Sequence, residues 1–106
     1  MRTLIVVPTY FEVESIGELL NRLISAVPSA DVIVVDDGST DGTCDVVSDV
    51  AVDHPQVALR RRSHKGGLGS AYRDTFSAAL SEYDLLVEID ADLSHEPEAL
   101  PELLSA

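Results

Sequence analysis

The sequence has one cysteine, one lysine and no tryptophan among its 106 residues. Because Cys44 has no partner cysteine, an internal disulfide is excluded and a reducing compartment is favoured. No apolar run approaches the roughly 20 residues that a membrane span needs, and the first residues do not form a signal-peptide core. These absences predict a cytoplasmic chain that folds as one domain over residues 1–106.

Basic residues are scarce as well. Seven lysines and arginines stand against nineteen acidic residues, and the formal net charge is −12. A nucleic-acid partner requires a basic surface, so this composition argues against one. Two explanations of the acidic bias are open: adaptation to high salt, which screens self-repulsion, and an ordinary acidic surface.

Four short apolar segments predict β-strands, and each is followed by a loop and a helical stretch. They are Leu4–Val7, Val32–Val35, Val57–Arg60 and Leu85–Ile89. This alternation predicts an α/β fold, a Rossmann-like parallel sheet with strand order 3-2-1-4 and flanking helices. Ligands bind such sheets beyond the carboxyl ends of the strands, where the winding reverses. The loops after Val7 and after Ile89 are therefore predicted to line one crevice.

Apolar residues at helical spacing predict helices over residues 16–27, 43–52 and 70–82, and a fourth helix begins near Pro97. Ser15 and Glu18 have the spacing of a capping box at the start of the first helix.

An acidic pair follows the fourth strand. In an extended segment Asp90 and Asp92 point to the same side. Two close carboxylates raise one pKa unless a cation neutralises them, and Mg²⁺ or Mn²⁺ suits such ligands and keeps sites for substrate phosphates. The pair predicts a divalent-metal site, with two solvated acids in a turn as the alternative.

The loop after the second strand is rich in aspartate and glycine. Asp36 and Asp37 lie at the carboxyl end of the strand, where one of them is placed to accept a hydrogen bond from a base N–H. Asp41 and Thr43 are interpreted as turn and helix-cap residues.

The loops after the first and third strands complete the candidate site. The first lacks a G-x-G-x-x-G pattern, which argues against a nicotinamide cofactor. In it Tyr10 is predicted to pack on a base and Glu12 to accept from a ribose hydroxyl. The other loop is basic and glycine-rich, and Lys65 is predicted to pair with a diphosphate. Its arginines, Arg60–Arg62, either solubilise the chain or help to recruit an anionic substrate or membrane surface.

Four segments carry a resemblance to a known family, in the family's order and spacing: Pro8–Glu12 (P-T-Y-F-E), Val35–Thr43 (V-D-D-G-S-T-D-G-T), Lys65–Tyr72 (K-G-G-L-G-S-A-Y) and Asp90–Pro97 (D-A-D-L-S-H-E-P). Together they resemble the family 2 glycosyltransferases with a GT-A fold, and most of all the dolichol- and polyprenol-phosphate mannosyltransferases. One position departs from the pattern, since the family often has asparagine where this chain has Phe11.

The resemblance implies transfer of mannose from GDP-mannose to a polyprenyl or dolichyl phosphate, with inversion. The residues that it assigns to the nucleotide are Pro8, Tyr10, Glu12 and one of Asp36 and Asp37. It places Asp90 beside the ribose and the metal, and gives Asp92 the metal that bridges the diphosphate. No catalytic base is assigned, because a phosphate acceptor is already an anion.

Family members continue beyond the D-x-D motif with an acceptor-binding half. The resemblance therefore implies that residues 1–106 are a truncated donor-binding part, or one that a second chain or self-association completes. A lipid acceptor also implies peripheral contact with the cytoplasmic face of a membrane.

Three alternative functions are open. The first is a donor-binding module that cannot transfer sugar. The second is a haloacid dehalogenase-type phosphatase, whose D-x-D-x-[ST] pattern fits residues 90–94 although its nucleophile normally follows the first strand. The third is a receiver-like domain, whose acidic pair would be Asp36 and Asp37 on the wrong strand. The residues leave open GDP against UDP, and mannose against glucose.

Overall fold

A four-stranded parallel sheet organises the chain. The computed structural model describes residues 2–61, 82–94 and 96–101. The strands are β1 (Thr3–Thr9), β2 (Asp31–Asp36), β3 (Val57–Arg61) and β4 (Leu85–Glu88). They pair in the order β3-β2-β1-β4, and all three pairings are parallel. The α/β class and the strand order 3-2-1-4 are confirmed.

The central strand β1 is buried along its whole length. Successive side chains of a strand point to opposite faces, so Ile5 and Val7 join a large cluster on one face of the sheet. Leu4 and Val6 join a smaller cluster on the other face. Burial on both faces explains why β1 reads as a continuous apolar run.

The first helix, α1 (Ile16–Ala26), covers the larger cluster. Its buried side chains, all at 0% exposure, are Ile16, Leu19, Leu20 and Leu23. The apolar stripe is confirmed, but the capping box is wrong. Ser15 makes no capping hydrogen bond and its hydroxyl donates to a distant carbonyl, while Glu18 pairs with Arg22. The Ser15 hydroxyl therefore donates to an acceptor far away in the chain, instead of accepting from a backbone N–H of its own helix.

The second helix, α2 (Thr43–Asp53), begins after Gly42, whose φ of 100° is in the left-handed region. The Asp41 carboxylate accepts from the backbone N–H and the hydroxyl of Thr43, which confirms the turn role of Asp41. The predicted cap role is wrong, because Gly42 occupies the N-cap position without a side-chain capping hydrogen bond and Thr43 is the first residue of the helix. Helices α1 and α2 approach closely at Gly17, where an added Cβ would lie 3.2 Å from a methyl group of Val46.

The segment after β4 returns to α1. A short 3₁₀ turn over Pro97–Ala99 stands where a fourth helix was predicted to begin, and Leu100 beyond it is buried. Both oxygens of Glu98 accept from the Arg22 guanidinium, at 2.8 and 2.5 Å. This bidentate ion pair attaches the 3₁₀ turn to α1.

Two predictions fall largely or wholly outside the described residues. These are the helix over 70–82 and the phosphate contact of Lys65. In the described part of the chain, no helix combines the length and the apolar character that a bilayer crossing requires.

The Arg22–Glu98 pair predicts a pH-dependent contribution to stability. Hydrogen bonds from Arg22 lower the pKa of Glu98 to about 2 from its ordinary value of 4.5. A carboxyl group with a lowered folded-state pKa stabilises the fold above its unfolded pKa and loses that contribution as the pH falls. We expect Glu98→Gln to lower Tm at pH 7, and the two Tm values to converge between about pH 4.5 and pH 2.

Thermal unfolding followed by circular dichroism measures this, with Asp49→Asn on the exposed side of α2 as the control. Equal Tm values for Glu98→Gln and the parent at pH 7 would show that the ion pair does not stabilise the fold.

Candidate functional site

The loops that follow β1 and β4 line one crevice of about 370 Å³. Its lining comprises residues 11–15, Asp41 and Asp92. The predicted crevice is confirmed, because the winding of the sheet reverses at β1 and brings these distant loops to the same edge.

The carboxylate of Asp36 is fully buried at the end of β2. Its Oδ1 accepts from the hydroxyls of Thr9 at 2.6 Å and Ser39 at 2.7 Å. Its Oδ2 accepts from the backbone N–H groups of Gly38 at 3.1 Å and Ser39 at 2.8 Å. Burial alone would raise the pKa of Asp36, but the hydrogen bonds outweigh burial and lower it. Asp36 is therefore an ionised group inside the protein that shapes the loop after β2.

Cys44 adds a further donor to this carboxylate. Burial first, and then the contact with Asp36, raises the pKa of the Cys44 thiol to about 11. The thiol stays protonated at neutral pH and acts as a hydrogen-bond donor, not as a reactive thiolate.

The sequence assigned one member of the Asp36–Asp37 pair to the nucleotide, and the structure separates the two. Asp36 serves the loop through both of its oxygens. Asp37 is 4% exposed, and its backbone N–H donates to the carbonyl oxygen of Thr9 at 3.1 Å. The two adjacent aspartates therefore have different surroundings, and the contact of one of them with a base stays a prediction.

Side chains of the β2–α2 loop also fix the loop after β1. The backbone N–H groups of residues 11–13 donate in turn to Ser39 Oγ at 2.7 Å, Thr43 Oγ1 at 3.0 Å and Asp41 Oδ2 at 3.3 Å. Two of these acceptors are hydroxyls that themselves donate to Asp36 and Asp41. The two loops therefore form one hydrogen-bonded unit.

Phe11 adopts a left-handed backbone conformation with a φ of 58°. Asparagine tolerates this conformation better than most residues, so its frequent occurrence at this position of the family has a backbone explanation. The side chain of Phe11 is 46% exposed and packs edge-on against Tyr10, with 4.4 Å between the ring centroids. At this position the chain therefore carries an aromatic ring on a backbone conformation that favours asparagine.

Negative charge is concentrated in the crevice. The pKa of Glu12 is raised, first by burial and then by the charges of Asp92, Asp41 and Asp90. Like charges at this distance disfavour full ionisation and attract a cation. The loops after β1 and β4 therefore contribute Glu12 and Asp92 to one acidic crevice.

The D-A-D segment is not an extended strand, and that part of the prediction is wrong. Strand β4 ends at Glu88, and Ala91 and Asp92 lie in a turn. Ala91 is 3% exposed because its methyl group is in the core, whereas Asp92 is exposed. Leu93 has a φ of 64°, and the N–H of Ser94 donates to Asp92 Oδ1 at 3.0 Å. Ala91 is thus in the core between an exposed Asp92 and a half-buried Asp90.

Within the described residues, no three histidine, cysteine or acidic side chains converge as a metal cluster. Mg²⁺ and Mn²⁺ sites completed by substrate phosphates need only one or two protein carboxylates. Asp92 with Asp90 or Glu12, in a crevice of concentrated negative charge, fits that requirement.

Pro8 is buried inside β1, although proline normally disrupts a central strand. The carbonyl of Val6 accepts from Ile89 N–H, so Pro8, two residues further, faces the same side. The last β1–β4 pair joins Val6 to Glu88. Since the β1–β4 ladder has ended before Pro8, no hydrogen bond is lost there, and a buried proline is tolerated at the end of β1.

Ser15 is the residue that sequence reasoning missed. It lines the crevice, and its Oγ donates to the carbonyl oxygen of Ala91 at 2.6 Å. Its position before a helix indicated a local cap, and no local pattern signals an acceptor so far away in the chain.

The comparison with known families agrees with this geometry. The model of glycosyl transferase family 2 matches residues 4–106, and the chain belongs to that family. Its four-stranded parallel sheet with flanking helices is the N-terminal arrangement of the GT-A fold.

Two curated relatives narrow the comparison. The chain is 51% identical to an undecaprenyl-phosphate mannosyltransferase of Micrococcus luteus, over 100% of this chain and 44% of that protein. It is 44% identical to a polyprenol monophosphomannose synthase of Mycolicibacterium smegmatis, over 99% of this chain and 40% of that protein. The chain spans less than half the length of either relative.

Solved structures show the same fold. A mannosyltransferase from Pyrobaculum calidifontis in complex with GDP-Man and Mn²⁺ is 31% identical, with a TM-score of 0.77 over 86% of this chain and 27% of that chain. S. aureus TarS in complex with UDP is 28% identical, with a TM-score of 0.82 over 99% of this chain and 31% of that chain.

The Asp36 network predicts a large effect from a small substitution. Asp36→Asn removes the charge and places an NH₂ group against hydrogen-bond donors. We expect it to lower the free energy of unfolding at pH 7 by about 2–3 kcal/mol, since hydrogen bonds to charged groups are strong and unsatisfied donors are costly. Urea unfolding measures the change.

The pKa of Asp36 is lowered from 3.8, so the stability difference between parent and Asp36→Asn should persist above that pH and shrink as the pH falls further. The exposed substitution Asp49→Asn is the matched control and should change the free energy by no more than about 0.5 kcal/mol. An Asp36→Asn variant as stable as this control would refute the structural role of the buried charge.

The left-handed backbone of Phe11 predicts an order of stability among its variants. Phe11→Asn should unfold with a free energy within about 0.5 kcal/mol of the parent. Phe11→Val should lose about 1–2 kcal/mol, because a β-branched residue is strained at positive φ. Tyr10, which has no positive φ, provides the control: Tyr10→Val should not be worse than Tyr10→Asn. Equal stability of Phe11→Asn and Phe11→Val would contradict the assigned backbone conformation.

Proposed function

We propose that the crevice binds GDP-mannose together with Mg²⁺ or Mn²⁺, and that the whole protein transfers mannose to a polyprenyl phosphate with inversion. The observation that carries the proposal is the meeting of Glu12 and Asp92, from the first and last family motifs, in one acidic crevice. The names of the curated relatives support the mannosyl donor and the lipid-phosphate acceptor.

The nucleoside is assigned to the loops that follow β1 and β2. Asp37 accepts from the base, and the half-exposed ring of Tyr10 packs against it. Glu12, which lines the crevice, accepts from a ribose hydroxyl. The backbone of these loops is already fixed by the Asp36 network, so little conformational entropy is lost when the nucleotide binds.

The diphosphate and the cation are assigned to the loop after β4. Asp92 holds the cation and Asp90 lies beside it and the ribose, while Lys65 pairs with the diphosphate. When bound, the cation acts as a Lewis acid that stabilises the leaving nucleoside diphosphate. The chain contributes the carboxylates that bind and orient, and an anionic phosphate acceptor needs no protein base to activate it.

The choice of GDP-mannose is supported by a solved relative that carries GDP-Man and Mn²⁺ and by the mannosyltransferase names. The TarS complex holds UDP at a comparable level of similarity, so a UDP-sugar is the competing donor. A lipid-phosphate acceptor would bring the protein to the cytoplasmic face of a membrane. The exposed Arg60 and Arg61 at the end of β3 carry positive charge that favours an anionic surface.

Calorimetric titration tests the donor site. The chain is titrated with GDP-mannose and with UDP-glucose, each with Mn²⁺ and with chelator. We expect Mn²⁺-dependent binding of GDP-mannose, which Asp92→Asn weakens at least about tenfold. Asp49→Asn, which keeps the same change in charge away from the crevice, should bind as the parent does.

Tighter binding of UDP-glucose would replace the proposed donor, and no binding of either nucleotide to the folded chain would refute the site. Transfer is then measured with labelled GDP-mannose and polyprenyl phosphate in detergent. Binding without transfer would favour a donor-binding module.

A further inference from the structure

Strand β4 ends before Asp90 and Asp92, so both acidic residues lie in a loop outside the sheet. The last backbone hydrogen bond to β1 runs from Ile89 N–H to the carbonyl oxygen of Val6, at 3.1 Å. Asp90 and Asp92 follow it, in a segment without strand pairing. The sheet ladder therefore does not fix where these two side chains lie, and other contacts must do so.

One such contact is made at the peptide between the two acids. The methyl group of Ala91 is buried in the core, and the Ala91 carbonyl oxygen accepts from Ser15 Oγ at 2.6 Å. The buried methyl group of Ala91 and the hydrogen bond to its carbonyl oxygen together fix the plane of the peptide that joins Ala91 to Asp92. The carboxylate of Asp92 is then oriented locally, by the N–H of Ser94.

Through its backbone, Ser15 is also hydrogen-bonded within the loop that follows β1, which carries Glu12. The backbone N–H groups of Ser15 and Ile16 donate to the carbonyl oxygen of Glu12, at 3.2 and 3.0 Å. Ser15 thus joins the loop that carries Glu12 to the loop that carries Asp92. Few residues could do this, because the bridge requires a side-chain donor at the start of α1.

Ser15 occupies the N-cap position of α1 but makes no side-chain capping hydrogen bond. A serine at this position normally stabilises its own helix by accepting from a backbone N–H of the first turn. Here the hydroxyl is used across the crevice, so its removal does not uncap the helix. Loss of this hydroxyl is therefore expected to alter the crevice more than it alters global stability.

We propose that Ser15 is a positioning residue: its hydroxyl holds the Ala91 carbonyl and thereby sets the spacing of Asp92 and Glu12 for a divalent cation and the donor diphosphate. The proposal rests on the proposed function, because it concerns the cation that serves that reaction. Groups that orient metal ligands change metal affinity by about 10–100-fold when they are removed.

A matched pair of variants isolates the hydroxyl. Ser15→Thr keeps a hydroxyl, and Ser15→Val has nearly the same shape without one. Mn²⁺ is titrated into each protein in the presence of GDP-mannose, and the free ion is followed by its electron paramagnetic resonance signal, with a protein-free blank. We expect Ser15→Val to weaken Mn²⁺ binding about tenfold and Ser15→Thr to retain it.

Ser48→Ala, an exposed serine on α2, is the control and should bind Mn²⁺ as the parent does. The Tm of every variant is measured alongside, and a Tm for Ser15→Val close to that of Ser15→Thr would show that the loss of affinity is local. Ser15→Ala provides a second variant without the hydroxyl and without the β-branched side chain.

The two hypotheses fail in different ways. If the parent binds Mn²⁺ and GDP-mannose while Ser15→Val and Ser15→Ala bind them equally well, the role of Ser15 is refuted and the proposed function stands. If the parent binds neither, both are refuted. Equal weakening in Ser15→Thr and Ser15→Val would assign the effect to shape and not to the hydroxyl, which also overturns the inference.

Discussion

Asp36 carries its charge inside the protein, where donors from the end of β1 and from the loop after β2 compensate for the lost hydration. Hydroxyls of Thr9 and Ser39 and the N–H groups of Gly38 and Ser39 surround the carboxylate. A buried charge is tolerated only while it is fully hydrogen-bonded. The loop after β2 is thereby held in one conformation, and it presents the acceptors that hold the loop after β1. The conformation of the loop after β1, which lines the crevice, therefore depends on the buried carboxylate of Asp36, which does not line it.

Negative charge accumulates in the crevice. Burial first, and then the charges of Asp92, Asp41 and Asp90, raise the pKa of Glu12. A divalent cation that arrives with an anionic donor would offset this repulsion, so the free-energy gain on binding includes relief of a cost already present in the fold. The same acidity makes the crevice a poor site for a phosphate alone, because the anion needs the cation to approach these carboxylates.

The roles of several residues depend on which groups the fold places next to them in space. Ser15 has the sequence position of a helix cap, but it bonds to a carbonyl beyond β4. Asp36 and Asp37 are adjacent aspartates, yet Asp36 serves the loop through both of its oxygens. Phe11 departs from the family pattern in its side chain while it keeps a left-handed backbone. In each case the residue type is compatible with more than one partner, and the fold decides which partner lies within hydrogen-bonding distance.

The class of fold could be predicted from the sequence, because apolar periodicity and the alternation of strands and helices are local signals. The strand order and the meeting of the first and last motifs at one edge were predicted from the doubly wound arrangement that such alternation favours. The turn at Asp92 and the partners of Ser15 and Asp36 were decided only by the tertiary structure. A hydroxyl or a carboxylate binds whichever donor or acceptor the packed chain brings near it, and for Asp36 and Ser15 the partners include Thr9 and Ala91, which are distant in the sequence.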